Sequence, residues 1–557
     1  MANPEPVATT GYSIHSAGLL KPGVILFALF LCLPIFTLVA LAFSGDLESF
    51  LHIATTVMPT AGFTTLVVML GVSLFTAIVG TFCAWLVTYF EFPFRRVLQW
   101  ALMLPLAVPT YISAYSFVEF FSFTGPLQEL IRSIGGYQST REYWFPEIRS
   151  LWGTVFVLGI VLYPYVYLSV RTLFLLQGNS IYDSARMLGA GRLRMLLRIT
   201  IPMARPAIIL GVTLALMETI NDIGAVEFLG TRTLTFSVFS VWLNQNDLAG
   251  ASQIAIFLLV IVFLLIFLEY ASRGSRQYHE LRTSTGRIQI PKALNGLRGV
   301  GAMLLVALPV AFGFGIPVYV LSEFAVKDLD ELFSPTLVEA FSTTITLGAL
   351  AALLAVVGGL LLSFAIRVNS GKSTVLAVRL ATLGYAVPGT LIAIGVFIPF
   401  AWFDNTLDGI LRQYVGISSG LLLTGSGAAL VFAYVVRFMA MAEGNLESGF
   451  TKLSPNLDMA ARSLGRGRWK VLREVLLPIM RPAIAAAALL VFVDVVKELS
   501  ATILLRPFGM NTLATHVYDF ASQGRVEDGA LGCLLIICAG ILPVILLSKN
   551  TSMVKQG

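Results

Sequence analysis

Charge is what this sequence has least of. Only 12% of its 557 residues are Asp, Glu, Lys or Arg, against 57% hydrophobic residues and a mean hydropathy of +0.84. A soluble globular domain carries roughly twice that share of charge. The composition therefore excludes an ordinary water-soluble enzyme or binding module and indicates a polytopic integral membrane protein. Cysteine is scarce too. Its four copies, Cys32, Cys83, Cys533 and Cys538, all lie in apolar runs, which argues against a disulfide framework and for small packed side chains. The four histidines, His15, His52, His279 and His516, fall in different loops without metal-ligand spacing. With no nucleophile–base pair and no metal cluster, a membrane-embedded enzyme has no support.

Long apolar runs are abundant. In the first half they cover Val24–Phe43, Phe63–Phe90, Trp100–Phe121, Trp152–Leu176, Pro202–Asn221 and Ile254–Tyr270. In the second they cover Val300–Leu321, Thr343–Ile366, Val375–Trp402, Leu421–Phe438, Pro478–Leu499 and Gly529–Leu547. Most approach the roughly 20 residues a membrane helix needs, so the expected fold is all-α with about twelve spans. The first run lacks a small-residue cleavage site and reads as an uncleaved helix. Basic residues set the orientation. Segment 44–62 has no Lys or Arg, whereas 271–299 holds Arg273, Arg276, Arg282, Arg287, Lys292 and Arg298, which predicts cytoplasmic N- and C-termini. The net charge of +6 follows from this topology and calls for no nucleic-acid partner.

The chain is also duplicated. Ser180–Ile208 reads SIYDSARMLGAGRLRMLLRITIPMARPAI and Asn456–Ile484 reads NLDMAARSLGRGRWKVLREVLLPIMRPAI. Ala185 and Ala461, Gly189 and Gly465, Pro202 and Pro478, and Pro206 and Pro482 are all 276 apart, about half the chain. Ala107-Val108-Pro109 returns as Ala386-Val387-Pro388, at an offset of 279. Each island reads as a short helix, a glycine turn, a basic helix and a proline opening the next span. The expected organisation is a cytoplasmic tail over 1–22, a first half over 23–271 with a polar loop at 180–202, and a cytoplasmic linker over 272–299. A second half follows over 300–548 with its loop at 456–478, then a tail over 549–557.

The two islands resemble the EAA loops of ABC importer permeases, whose pattern is E-A-A, three residues, G, nine residues, I-x-L-P. It falls on Asp183-Ser184-Ala185, Gly189, Ile199, Ile201 and Pro202, and again on Met459-Ala460-Ala461, Gly465, Val475, Leu477 and Pro478. The acidic position is Asp in one copy and Met in the other. The resemblance implies a type I (MetI-like) permease with both halves fused, in the bacterial inner membrane. It implies that each loop forms a coupling helix for one of two copies of a cytoplasmic ATPase, and that a periplasmic binding protein delivers substrate. This chain would bind no cofactor, ATP and Mg being used by the partner. Lys497-Glu498-Leu499-Ser500-Ala501-Thr502, Leu504-Leu505-Arg506-Pro507-Phe508-Gly509 and Asn221-Asp222-Ile223-Gly224-Ala225-Val226 are similar to ferric-iron importer permeases. Related fused permeases serve thiamine and phosphonate-type substrates. In the loops, Ala185 and Ala461 would admit a partner closely and Gly189 and Gly465 would permit the turn.

Four acids stand out in the helices after the loops. Glu218 and Asp494 are 276 apart, as are Asp222 and Glu498. At 1.5 Å per residue they lie about 24 and 30 Å along from the proline. Ionisable groups at such depth usually face a cavity or a partner, so the four are candidates to line a translocation path. Lys497, three residues after Asp494, offers a pairing partner instead. An ion-coupled secondary transporter is the alternative these acids support; parallel rather than inverted halves and the repeated loops speak against it. Ser370-Gly371-Lys372-Ser373-Thr374 mimics the end of a phosphate-binding loop, but the position needing glycine is Ile366, so the sequence offers no ATP site there.

Overall fold

The computed structural model describes residues 20–176, 187, 196–273, 291–454 and 456–553. Most of the first polar loop, including Asp183, Ser184, Ala185 and Gly189, lies outside the described residues. The same holds for residues 1–19, most of the linker and the last four residues.

The first repeat begins with α1 (Leu20–Leu31), α2 (Leu33–Ser44) and α3 (Leu47–Tyr89), followed by α4 (Arg95–Ala101), α5 (Thr110–Phe121), α6 (Pro126–Gly135) and α7 (Leu151–Leu176). After the loop come α8 (Ile201–Asn221), α9 (Gly224–Phe228), α10 (Leu234–Gln245) and α11 (Leu248–Arg273). The second repeat starts with α12 (Leu297–Val310), α13 (Ile316–Lys327), α14 (Pro335–Val368), α15 (Lys372–Ala381), α16 (Gly389–Val415) and α17 (Ala428–Thr451). It ends with α18 (Asn456–Ser463), α19 (Arg468–Val471), α20 (Leu477–Val496), α21 (Thr502–Leu505), α22 (Leu513–Ser522) and α23 (Ala530–Met553). Among the described residues the only sheet is a two-residue parallel pairing of Phe90–Glu91 with Lys292–Ala293.

Nine described helices are long and apolar enough to span a membrane, or eleven when each of two bent pairs counts as one; α23 adds a shorter apolar stretch, Ala530–Leu542. The expected all-α architecture stands, with corrections to single spans. The run Trp100–Phe121 is not one helix: the chain turns by 97° between Arg95–Ala107 and Thr110–Gly135. Pro109 is the cause, because a proline pushes the residue before it out of the helical region, and Val108 sits at φ −96°, ψ 115°. The run Val375–Trp402 breaks in the same register, a 3-10 turn over Leu383–Ala386 leading through Pro388 into α16. The first run bends by 46° between α1 and α2. The run Pro478–Leu499 stops early, at Val496.

Both post-loop helices open through one turn of π-helix, Leu196–Thr200 before α8 and Leu472–Leu476 before α20. Pro202 and Pro478 explain the pair, since each lacks the N–H that would continue an ordinary ladder and the preceding turn widens to accommodate it.

The chain packs as two compact units. The smaller draws on Met1–Leu33, Ala352–Tyr385 and Val435–Val491, the larger on Pro34–Ala351, Ala386–Tyr434 and Phe492–Gly557. The smaller unit's core holds Val356, Phe364, Leu446, Phe450, Leu476 and Met480. One core of the larger unit gathers Val68, Val72, Leu158, Tyr163 and Val166, the other Val108, Tyr111, Leu513, Val517 and Ile536.

The duplication is visible in the bonding. Thr65 Oγ1 accepts the N–H of Leu234 at 2.9 Å, and Thr344 Oγ1 accepts that of Leu513 at 2.8 Å. Thr233 and Thr512 cap the helices that follow, each accepting from the N–H three residues on. These paired threonines are 279 apart, the offset of the two Pro breaks.

Candidate functional site

Two places concentrate polar chemistry: the second polar loop, in the smaller unit, and the ends of α8 and α20, in the larger. The loop starts as α18, with Asp458 in its first turn. Met459 and Ala460 are exposed, whereas Ala461 is turned inward and 8% exposed, packed in the cluster of Phe364, Leu446 and Phe450. Its small side chain makes an apolar contact within the chain.

The helix ends at Gly465, whose φ is +77°. The N–H of Arg466 donates back to Ala461 O at 3.1 Å, the bond that closes a left-handed C-terminal cap. A Cβ on Gly465 would meet nothing within 4 Å, so conformation, not space, calls for glycine. Leu464, 82% exposed, and Trp469 project from the turn. Arg367, at the end of α14, bonds Asp458 and the carbonyls at the end of α17. Sequence reasoning missed it; a lone arginine closing an apolar run was the available signal.

At the second place, α8 ends at Asn221 and α20 at Val496, so Asp222 and Glu498 lie just past the helices that the sequence reading carried through them. Each carboxylate turns back on its own chain. Asp222 Oδ1 accepts the N–H groups of Ala225 at 2.8 Å and Val226 at 3.4 Å. Glu498 accepts from Ala501 N at 2.9 Å, Thr502 N at 3.1 Å and Thr502 Oγ1 at 2.6 Å. Both acids are buried, and both bond the third and fourth residues ahead, opening the short helices α9 and α21.

The two turns touch. Ser500 Oγ donates to Asn221 O at 2.8 Å, and the N–H of Gly389, where α16 starts, donates to Asn221 Oδ1 at 2.7 Å. Gly224 has no room for a side chain, since a Cβ would stand 2.7 Å from Tyr111 Cβ and 2.8 Å from Leu499 Cδ2. Around this junction the hydroxyls of Tyr111, Ser113 and Thr390 are buried without a hydrogen-bond partner. Thr502 also meets Tyr434, with 2.6 Å between their oxygens.

The other two acids differ. Asp494 pairs with Lys497 at 2.8 Å, and both side chains are partly buried. Glu218 is half-buried, and the residue in the register of Lys497 in its repeat is Asn221. Among the described residues no three His, Cys, Asp or Glu side chains gather as a metal site. Beyond the α5 break, segment 122–150 borders an open cleft of roughly 620 Å³ lined by Glu119, Gln128, Tyr143, Trp144 and Arg149.

The binding-protein-dependent transport system inner membrane component family matches this chain twice, over residues 76–274 and 355–549. The chain belongs to that family. It is thus an ABC importer permease with two copies of the domain fused in one polypeptide, a multi-pass membrane protein of a type that works with a substrate-binding protein and an ATPase. Among its relatives is the Fe(3+)-transport system permease protein FbpB 2 of Haemophilus influenzae, 24% identical over 493 residues, covering 87% of this permease and 88% of that protein. A putative 2-aminoethylphosphonate transport system permease protein, PhnV, of Salmonella paratyphi A is 25% identical over 218 residues, 39% of this permease and 76% of PhnV. The sulfate transport system permease protein CysT of Salmonella typhimurium is 27% identical over 210 residues, 36% of this permease and 72% of CysT.

Proposed function

We propose that this permease forms the whole transmembrane part of an importer that brings ferric iron into the cytoplasm, powered by two copies of a cytoplasmic ATPase. The observation that carries the reading is the end-to-end match to an Fe(3+) permease that, like this chain, is long enough to hold both halves. PhnV and CysT each match less than half of this chain, 39% and 36%. Each repeated loop receives one ATPase subunit, through Asp183, Ser184, Ala185 and Gly189 in the first copy and Met459, Ala460, Ala461 and Gly465 in the second. The permease holds no nucleotide; ATP and Mg belong to the partner. Closure of the ATPase pair draws the loops together and tilts α8 and α20, which begin directly after them, so the core alternates between its two openings. The N- and C-termini and both loops lie on the cytoplasmic side, where Lys and Arg are concentrated, and membrane lipid surrounds the apolar spans.

Glu218, Asp222, Asp494 and Glu498 mark the wall of the path. Asp222 and Glu498 hold its turns in place; Glu218 and Asp494 carry charge that the cargo meets. A second reading, transport of an oxyanion such as a phosphonate or sulfate, is favoured by PhnV and CysT. Parallel uptake of radiolabelled ferric iron, 2-aminoethylphosphonate and sulfate into cells with and without the permease separates the two. Chain-dependent entry of iron alone is expected; entry of either anion in place of iron overturns the iron assignment.

A further inference from the structure

We propose that Arg367 is a positioning residue that locks the second docking loop to the core helices, so that movement of the loop becomes movement of α14 and α17. This rests on the proposal that the loop receives an ATPase. Arg367 stands in the last turn of α14 with its side chain 13% exposed. Its Nε and Nη2 both lie 2.7 Å from Asp458 Oδ2, in the first turn of α18. Its Nη1 donates to Phe450 O at 2.8 Å and Leu453 O at 3.3 Å, and Nη2 donates to Ser454 O at 3.3 Å. One guanidinium thus joins the end of α14, the end of α17 and the start of α18.

The chemistry suits a rigid joint. The planar fork of arginine presents fixed donors to a carboxylate and to carbonyls at once, which a lysine ammonium does not reproduce. Of the carbonyls it meets, Phe450 O and Ser454 O also accept the N–H groups of Leu453 and Leu457, and the guanidinium takes their second lone pairs. A cap for α17 alone would need only those carbonyls. The bond to Asp458 adds the docking helix itself, which otherwise joins α17 through a short connection and rests on the apolar contact of Ala461.

In the register of the duplication this residue pair belongs to one repeat. The residue 276 before Asp458 is Tyr182, and those 276 to 279 before Arg367 are Glu91, Phe90, Tyr89 and Thr88, none of them basic. The two repeats therefore differ in sequence at the positions of this pair.

The test uses the full permease assembled with its ATPase and binding protein in proteoliposomes, with radiolabelled ferric iron as cargo. Wild type, Arg367→Gln, Arg367→Lys and Asp458→Asn are compared for assembly, ATP hydrolysed and iron moved. Iron moved per ATP is expected to fall about tenfold in Arg367→Gln and several-fold in Asp458→Asn, with Arg367→Lys between wild type and Arg367→Gln and hydrolysis within about twofold of wild type. Asp458→Asn keeps the bonds to the three carbonyls, so it decides the matter if Arg367→Gln fails to fold. A wild-type ratio in assembled Asp458→Asn complexes overturns the proposal. A wild-type permease that assembles with no ATPase overturns the docking reading itself, and this shows before any variant is made. Should iron not be the cargo, nitroxides at Ser370→Cys and Ser463→Cys, in a Cys538→Ser background, provide a readout free of substrate. Their separation is expected to stay constant between nucleotide-free and ATP-bound complexes in wild type and to broaden in Asp458→Asn; equal distributions in both overturn the proposal.

Discussion

At the scale of residues, the buried acids behave as backbone ligands before they behave as anything else. Glu498 satisfies two N–H groups that would otherwise be orphaned where α21 starts, and also accepts from the Thr502 hydroxyl. Replacing it by Gln turns one acceptor into a donor that faces an N–H. Glu498→Gln should therefore lower stability by about 2 kcal/mol, read as earlier thermal unfolding of the purified permease. Asp222→Asn retains an acceptor at Oδ1 and should cost less than Asp222→Ala in the same assay. Gly224→Ala forces a Cβ against Tyr111 and Leu499, an overpacking of about 1–3 kcal/mol; unchanged melting of this variant would contradict the tight junction. Glu218→Gln leaves these turns intact, so a drop in uptake without a drop in stability is the expected sign of a wall facing the cargo.

At the scale of elements, proline and glycine punctuation decides where helices break, widen and turn. Gly465→Ala must hold a side chain at φ +77°, at a cost of about 1–2 kcal/mol, and Gly465→Pro fixes φ on the wrong side altogether. Loss of ATPase capture by Gly465→Pro, with normal membrane insertion, is the expected result in a pull-down from solubilised membranes. Much at this scale was legible in the sequence: the apolar runs placed α7 and α8 within a residue or two, and the glycine turn expected at Gly465 is where the second loop turns. The breaks at Pro109 and Pro388 were in plain view but were read through, because a 20-residue hydropathy window does not register a single proline. The ends of α8 and α20 were illegible for another reason. Asp222 and Glu498 are compatible with helix by spacing, and only the folded chain shows their carboxylates capping the short helices α9 and α21. Likewise Ala461 is small in any reading, but which neighbour needs it small is a tertiary fact.

At the scale of the whole molecule, duplication supplies two loops, two post-loop helices and two proline breaks in one chain. The paired threonines at positions 65 and 344 and at 233 and 512 show that the repeats agree in bonding as well as in sequence. They disagree where function can exploit it: Lys497 answers to Asn221, Asp458 to Tyr182 and Asp183 to Met459. A transporter so built is a fused pair of unequal halves, and if each loop receives an ATPase as proposed, the two contacts should differ in strength. Titration of solubilised permease with its ATPase is expected to show two binding steps, which merge in Asp458→Asn; a single step in wild type would place the two loops on equal terms. The claim beneath all of this is that the permease is driven by a borrowed ATPase rather than by an ion gradient. The most direct measurement is permease-dependent uptake of radiolabelled ferric iron with ATP depleted in one arm and the proton gradient collapsed in another. Uptake that stops without ATP and continues without the gradient is the predicted result; uptake that follows the gradient and ignores ATP would contradict it.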